Sequence, residues 1–169
     1  MKSLHVVALS LAVVAVFSWY LVYNENQKIT GMAVYGTPEL SVDGYLETSI
    51  NLNTNSIVLV SGCRHLTLST TEEQISSIKN GANGIVDFRP TSHDLINDVM
   101  EHYGIQVLKV KIETIHDGAY FAKLIVRQGD RLFSVDSRPS DAIALAVRQN
   151  APVYVRSSLM EDYGEDACS

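Results

Sequence analysis

Asp87-Phe88-Arg89-Pro90-Thr91 and Asp136-Ser137-Arg138-Pro139-Ser140 repeat one pattern, Asp-x-Arg-Pro-hydroxyl, and each leads from extended chain into residues with apolar positions at helical spacing. Proline suits the first helical position because its missing N–H would be unsatisfied there, and hydroxyls and carboxylates suit the free amides beside it. Asp94 and Asp141 fall in the first turns, where the helix dipole favours anions. Capping therefore accounts for the prolines, the hydroxyls and the early carboxylates, but not for the arginines. Arg89 and Arg138 add positive charge to the positive end of a dipole, so each needs an anion. Two readings stay open: a structural pair with the Asp two residues earlier, and a phosphate clamp to which Ser140 adds a hydroxyl.

His93-Asp94, at the first of these helix starts, offers a general base beside a carboxylate, and Asp141 offers a second carboxylate at the other. Asp87 and Asp136 are candidate oxygen ligands for a divalent metal, Mg²⁺ or Mn²⁺, which would activate water and neutralise developing charge. This chemistry requires the two echoes to converge in space. No zinc spacing, Walker loop, Ser-His-Asp signature or dinucleotide fingerprint is present, which leaves kinases, triad hydrolases and dehydrogenases without support. His102 and His116 read as bystanders on a polar helix face and in a turn.

The elements that must hold these groups follow from periodicity. Pro90 is expected to open a helix with Leu95, Ile96, Val99, Met100 and Tyr103 on one stripe, closed by Gly104. Ile105–Ile115, Tyr120–Gln128 and Arg131–Asp136, separated by turn residues, predict a three-stranded meander. If His116 opposes Tyr120, then Leu108, Val110, Ile112, Leu124, Val126, Phe133 and Val135 share an apolar face. The other face carries Lys109, Lys111, Lys123 and Arg127, with Glu113 opposite Lys123 and Phe121 available to stack on a base. That surface suits nucleic-acid phosphates, and equally a solvated strand face or a dimer interface.

In the first half, Tyr45–Leu52 and Ser56–Ser61 predict a hairpin around Asn53-Thr54-Asn55, and His65–Leu68 a further short strand. Thr70 and Glu73 have capping-box spacing for a short helix ending near Gly81. Before these, Leu4–Tyr23 is broken only by His5, Ser10 and Ser18, long enough to span roughly 30 Å of hydrocarbon as a helix. The run continues through Trp19, Tyr20 and Tyr23 without a small-x-small cleavage site, so a retained anchor is expected over residues 1–23. Residues 24–38 read as a linker.

Lys2 ahead of that run orients the N-terminus to the cytoplasm and the domain to the outer side of a single-pass protein. The net charge of −6 is unevenly placed: acidic groups dominate before Asp87 and after Arg156, and between them acids and bases balance. Net charge thus neither supports nor excludes a polyanionic partner. Cys63 and Cys168 lack any CxxC spacing; they could pair if exported, but small buried or tail thiols are the commoner outcome.

The strings RPTSHDLINDVMEHYGIQVLKVKIETIHDGAYFAKLIV and VDSRPSDAIALAVRQNAPVYV resemble the bifunctional nuclease domain, over about Ile57 to Met160 and most strongly from Phe88 to Val155. The resemblance implies an α+β fold, a propensity to dimerise, and nuclease activity on DNA and RNA reported for some members. Matching positions are Arg89, Pro90, His93, Asp94, Asp136, Ser137, Arg138, Pro139, Ser140 and Asp141. His65-Leu66-Thr67-Leu68-Ser69-Thr70 followed by Glu72-Glu73-Gln74 departs from the family's usual first half, so surfaces built there are expected to differ.

The sequence is therefore read as an α+β domain over 39–160, with a mainly antiparallel sheet (hairpin plus meander) and two or three helices. An acidic tail over 161–169 follows. The expected function is a phosphodiester hydrolase on DNA or RNA, acting as a homodimer or higher homo-oligomer. The alternative is a non-catalytic anion-binding or assembly module.

Overall fold

The computed structural model describes residues 39–168, and the expected anchor and linker over 1–38 lie outside them. Among the described residues no helix is long and apolar enough to cross a membrane. The element order is β1 (Tyr45–Leu52), β2 (Ser56–Ser61), β3 (Arg64–Ser69), α1 (Glu72–Ala82), α2 (Ser92–His102), β4 (Ile105–His116), β5 (Ala119–Gln128), β6 (Arg131–Ser137), α3 (Pro139–Arg148), β7 (Val153–Arg156), α4 (Ser157–Tyr163) and β8 (Glu165–Asp166). One eight-stranded sheet runs β6-β5-β4-β7-β1-β2-β3-β8. Among the described residues only β4 and β7 pair in parallel, which makes the fold α+β with a mostly antiparallel sheet. β1 changes partners along its length: Tyr45–Thr48 pair with β7 and Ser49–Leu52 with β2.

The core lies where the helices cover the sheet. α3 carries Ala142, Ile143, Ala144, Leu145 and Ala146, all buried, as expected of a helix apolar all round. It packs against β4 and β5, with α1 and α2 against its flanks.

The β4–β5 turn differs from the three-residue loop expected. His116 pairs with Ala119 across two residues, Asp117 and Gly118, whose φ values of 50° and 77° give the primed turn that matches strand twist. Register shifts at Val107/Lys109 and Ile112/Thr114 put Val110 opposite Leu124 and Ile112 opposite Ala122, two residues from the pairing expected, which leaves these side chains on their expected face. The expected apolar face survives, with Val107 buried in place of Leu108. Lys123 faces Lys111, and Glu113 sits in the second irregularity. Phe133 and Val135 share the core face but stay 44% and 45% exposed, because β6 is the edge strand.

Two of the three expected helix starts move, one by one residue and the other by two. Thr71 rather than Thr70 caps α1, exchanging bonds with Gln74, and Thr91 caps α2 with Asp94, which leaves Pro90 outside the helix. On α2 the apolar stripe does not face the core. Met100 is buried, but Leu95, Val99 and Tyr103 are exposed, and Asp94 points inward in their stead. The residues expected as an acidic tail are part of the fold. They finish α4 and form β8, which pairs with β3 and is tied by a Cys63–Cys168 disulfide in place of the free thiols expected.

Candidate functional site

The second echo builds one side of the site. Arg138 is the N-cap of α3 and Pro139 follows at the first helical position, with no side-chain cap among the described residues. The Arg138 guanidinium bonds Asp141 instead of Asp136: Nε donates to Oδ2 at 2.7 Å and Nη2 to Oδ1 at 3.2 Å. Asp136 is claimed by Lys123, whose Nζ lies 2.6 Å from Oδ1. The Arg138 side chain is 73% exposed and can leave this pair without exposing core. Partial burial alone would raise the Asp141 pKa, but the bonds and charge of Arg138, then His93, hold the carboxyl below its usual range.

The first echo arrives from the other side. His93, in the first turn of α2, places Nε2 3.4 Å from Asp141 Oδ1 and Nδ1 2.9 Å from Ser77 Oγ on α1. Arg148, at the end of α3, donates from Nη2 to Ser77 Oγ at 3.2 Å. The Asp141 carboxylate only accepts, which puts the proton of a neutral ring on Nε2, and Nδ1 then accepts from the Ser77 hydroxyl. Arg148 also donates to Asp94 Oδ1 from Nε at 2.9 Å and Nη2 at 2.7 Å, and to the Ala144 carbonyl at 2.6 Å. Asp94 Oδ2 accepts from the Thr91 amide and hydroxyl, each at 2.7 Å. One bonded line thus runs from the buried Asp94–Arg148 pair through Ser77 and His93 to Asp141 and Arg138.

Gly81 makes room for Arg148. A β-carbon there would lie 2.5 Å from Nη1 and 2.9 Å from Cγ and Cζ of Arg148, whose four hydrogen bonds hold it in place. Helical Gly→Ala exchanges ordinarily stabilise by about 1 kcal/mol. Gly81→Ala is expected to do the reverse, lowering stability by about 1 to 3 kcal/mol through the displaced guanidinium. Urea titration measures the sign directly.

Part of this line borders a cleft of about 590 Å³ between α2, α3 and the β4–β6 strands. Ser92 and His93 line it together with Asp136, Ser137, Arg138 and Asp141, so the two helix starts converge, although no residue of the first echo itself, Asp87 to Thr91, lines it. Asp94 does not line it and acts only through Arg148. Asp87 and Arg89 stand on the exposed loop before α2, outside the cleft, with Asp87 accepting from Asn80 Nδ2 at 2.9 Å. Among the described residues no three His, Cys, Asp or Glu side chains gather to hold a metal ion. Asp87 and Asp136 do not share a site, and Asp136 already faces an ammonium. That donor set does not fit a resident divalent metal.

The cationic strand residues meet local partners. Lys109 Nζ donates to the Leu40 carbonyl at 2.7 Å, Arg127 Nη2 donates to Gln106 Oε1 at 2.7 Å, and Lys123 is held by Asp136. Lys111 is buried with its amine 4.8 Å from the Tyr45 ring centre, and burial, then the Lys109 charge, hold it below the usual lysine range. Lys111 and Lys123 line a second cleft with Glu39, Asp43, Tyr45 and Glu113. There burial and the Glu113 carboxylate push the Tyr45 hydroxyl up to about 12.

A family model described as the bifunctional nuclease domain matches residues 58–167. The chain belongs to the bifunctional nuclease domain family. The match runs past Met160 and takes in β8, in keeping with the folded C-terminal segment. An uncharacterized protein of Mycobacterium tuberculosis H37Rv is 32% identical over 103 residues, 61% of this chain and 61% of its own length. Bifunctional nuclease 2 of Arabidopsis thaliana is 39% identical over 74 residues, 42% of this chain and 22% of its own length. Bifunctional nuclease 1 of the same plant is 36% identical over 75 residues, again 42% of this chain and 23% of its own. The chain therefore spans about three fifths of the mycobacterial relative and under a quarter of the plant proteins.

Ser77 and Arg148 were missed by sequence reasoning. Ser77 carries no motif. Arg148 did carry a signal: it ends a helix whose preceding turns are almost wholly apolar, so its guanidinium had to find a buried acid or the surface.

Proposed function

We propose that this domain is a phosphodiester hydrolase acting on DNA and RNA at the cleft lined by His93, Arg138 and Asp141. The observation that carries the reading is the convergence of both Asp-x-Arg-Pro helix starts on one cleft, with an exposed arginine at its mouth. Family membership and the names of the plant relatives agree with it.

In this scheme an incoming phosphate takes the Arg138 guanidinium from Asp141, and backbone amides at the α3 N-terminus add donors, whereas the Ser140 hydroxyl expected to help is buried and does not line the cleft. Losing that bond lifts the restraint that keeps Asp141 a weak base. Asp141 then accepts a proton from the attacking water as the water oxygen bonds to phosphorus and the phosphorus–oxygen ester bond breaks. The leaving oxygen takes a proton from solvent, while the Nε2 proton of His93 holds the carboxylate in place. Asp94, Arg148 and Ser77 fix the orientation of His93. Parallel reactions with Mg²⁺, Mn²⁺ and EDTA test whether cleavage depends on a divalent ion.

The rival reading is an anion-binding module without catalysis, favoured by the fact that both His93 ring nitrogens and Asp141 already have partners. Cleavage assays separate the two, because the module binds single-stranded DNA and RNA and releases them intact.

Arg138→Ala tests the phosphate role. Its pair with Asp141 is solvent-exposed, so the variant should fold with a stability change within about 1 kcal/mol. Binding should weaken across all sequences, and the salt dependence should become shallower by about one unit of slope. Unchanged titrations at two salt concentrations would remove Arg138 from the site.

We further propose that the domain works on the outer side of a membrane, on the apolar run Leu4–Tyr23 with Lys2 before it. The Cys63–Cys168 bridge supports that side, since such bridges persist in oxidising compartments. The exposed apolar positions Leu95, Val99 and Tyr103 on α2 support a homo-oligomer.

A further inference from the structure

The cleft has two parts of unlike chemistry. Its charged and hydrogen-bonding residues, Gln74, Ser92, His93, Asp136, Ser137, Arg138 and Asp141, all belong to the starts of α1, α2 and α3 and the end of β6, and make its polar rim. The remainder is walled by Ile96, Met100, Leu124, Val126, Val135 and Leu145. A sugar-phosphate backbone would satisfy the rim and leave that apolar space filled with water, which costs free energy. A flat group of low polarity on its faces, covalently attached to a phosphate, satisfies both. The volume of about 590 Å³ lies within the range of about 300 to 1,000 Å³ that encloses one small ligand.

The geometry points to a cleft that takes one unpaired nucleobase against its apolar wall, with the attached phosphate at Arg138. This inference rests on the hydrolase reading for the place of the phosphate, and adds to it the substrate class: single-stranded or frayed nucleic acid of either sugar. A base in a duplex must first unpair and unstack to enter, whereas a single strand presents it freely. The apolar wall has no donors or acceptors with which to read a base edge, so purines and pyrimidines are both accepted. Sequence-tolerant contacts of this kind are the norm for single-strand binding.

The test uses the 169-residue chain with AMP, UMP, ribose 5-phosphate and inorganic phosphate in calorimetric titrations. AMP and UMP should bind at least about tenfold more tightly than ribose 5-phosphate, because only they fill the apolar part. Ile96→Trp and Val135→Trp enlarge wall positions that are 44% and 45% exposed, so the fold can accommodate either. Each should weaken AMP by about tenfold and leave inorganic phosphate binding unchanged. A single-stranded oligonucleotide should be cut faster than the same strand in a blunt duplex.

AMP binding no better than ribose 5-phosphate, or Trp variants that bind AMP like the parent, overturns the base pocket. AMP discrimination without any strand cleavage upholds the pocket and removes the hydrolase reading. Equal cleavage of single strand and duplex, with no preference for AMP, does the opposite.

Discussion

Replacing Arg148 by alanine is expected to destabilise the domain by about 3 to 5 kcal/mol, the cost of leaving one member of a buried ion pair alone. The side chains of Arg148 and Asp94 are 5% and 8% exposed. Removing the guanidinium strips Asp94 Oδ1 of two donors, the Ala144 carbonyl of one and Ser77 of one. Asp94 would retain only its bonds from Thr91.

The same pair sets a pH dependence. Burial alone would raise the Asp94 pKa, but the Thr91 bonds and Arg148 hold it below the usual carboxylate range in the folded state. A depressed folded pKa contributes stability that is full above the unfolded value of about 3.9 and is lost as pH falls through the folded value. In Arg148→Ala that acid-side loss should still begin near the unfolded value, but be smaller and complete at a higher pH. Replacing both partners, as Asp94→Leu with Arg148→Met, should cost less than Arg148→Ala alone, because no charge is then stranded. Urea titrations at about pH 2.5, below the unfolded value, and at pH 7 measure all of this, and a loss below about 1 kcal/mol in Arg148→Ala at pH 7 would show that the pair is not buried in solution.

Asp141→Asn is expected to lower the turnover of single-stranded substrates by about 10² to 10⁴, the usual contribution of a positioned general base. Asparagine keeps the size of the side chain but cannot take a proton from water. It also releases Arg138 from its strongest partner, so affinity for the strand should hold or improve while turnover collapses. This divergence separates a catalytic role from a structural one, because a merely loosened site loses both. Steady-state cleavage kinetics with a parallel binding titration give the two numbers. Turnover within tenfold of the parent would assign proton transfer to another group.

The two Asp-x-Arg-Pro starts, the first hairpin and the β4–β6 meander were legible because each depends on short-range signals: cap residues, turn glycines and strict alternation. What escaped is long-range. Arg148 lies 54 residues from Asp94 and 71 from Ser77, and nothing local fixes either distance. The same holds for the Cys63–Cys168 bridge, with a separation of 105. Arg138 was read as needing an anion, and it has one. Its partner is Asp141, three residues on, because in the first turn of a helix that carboxylate returns to the N-cap, whereas Asp136 still belongs to β6. The α2 stripe misled through a competition that periodicity cannot see. A buried ion pair and capping box fixed the rotation of the helix, and the apolar residues were left half outside.

The central claim, that nucleic acid meets this protein at the convergence of the two helix starts, is tested most directly by amide chemical shifts of the ¹⁵N-labelled chain titrated with oligothymidylate. Shifts should concentrate at Ser92, His93, Ser137, Arg138, Ser140 and Asp141. Shifts concentrated instead at Lys109, Lys111, Lys123 and Arg127 on the opposite face of the sheet, with the cleft amides unmoved, would contradict it.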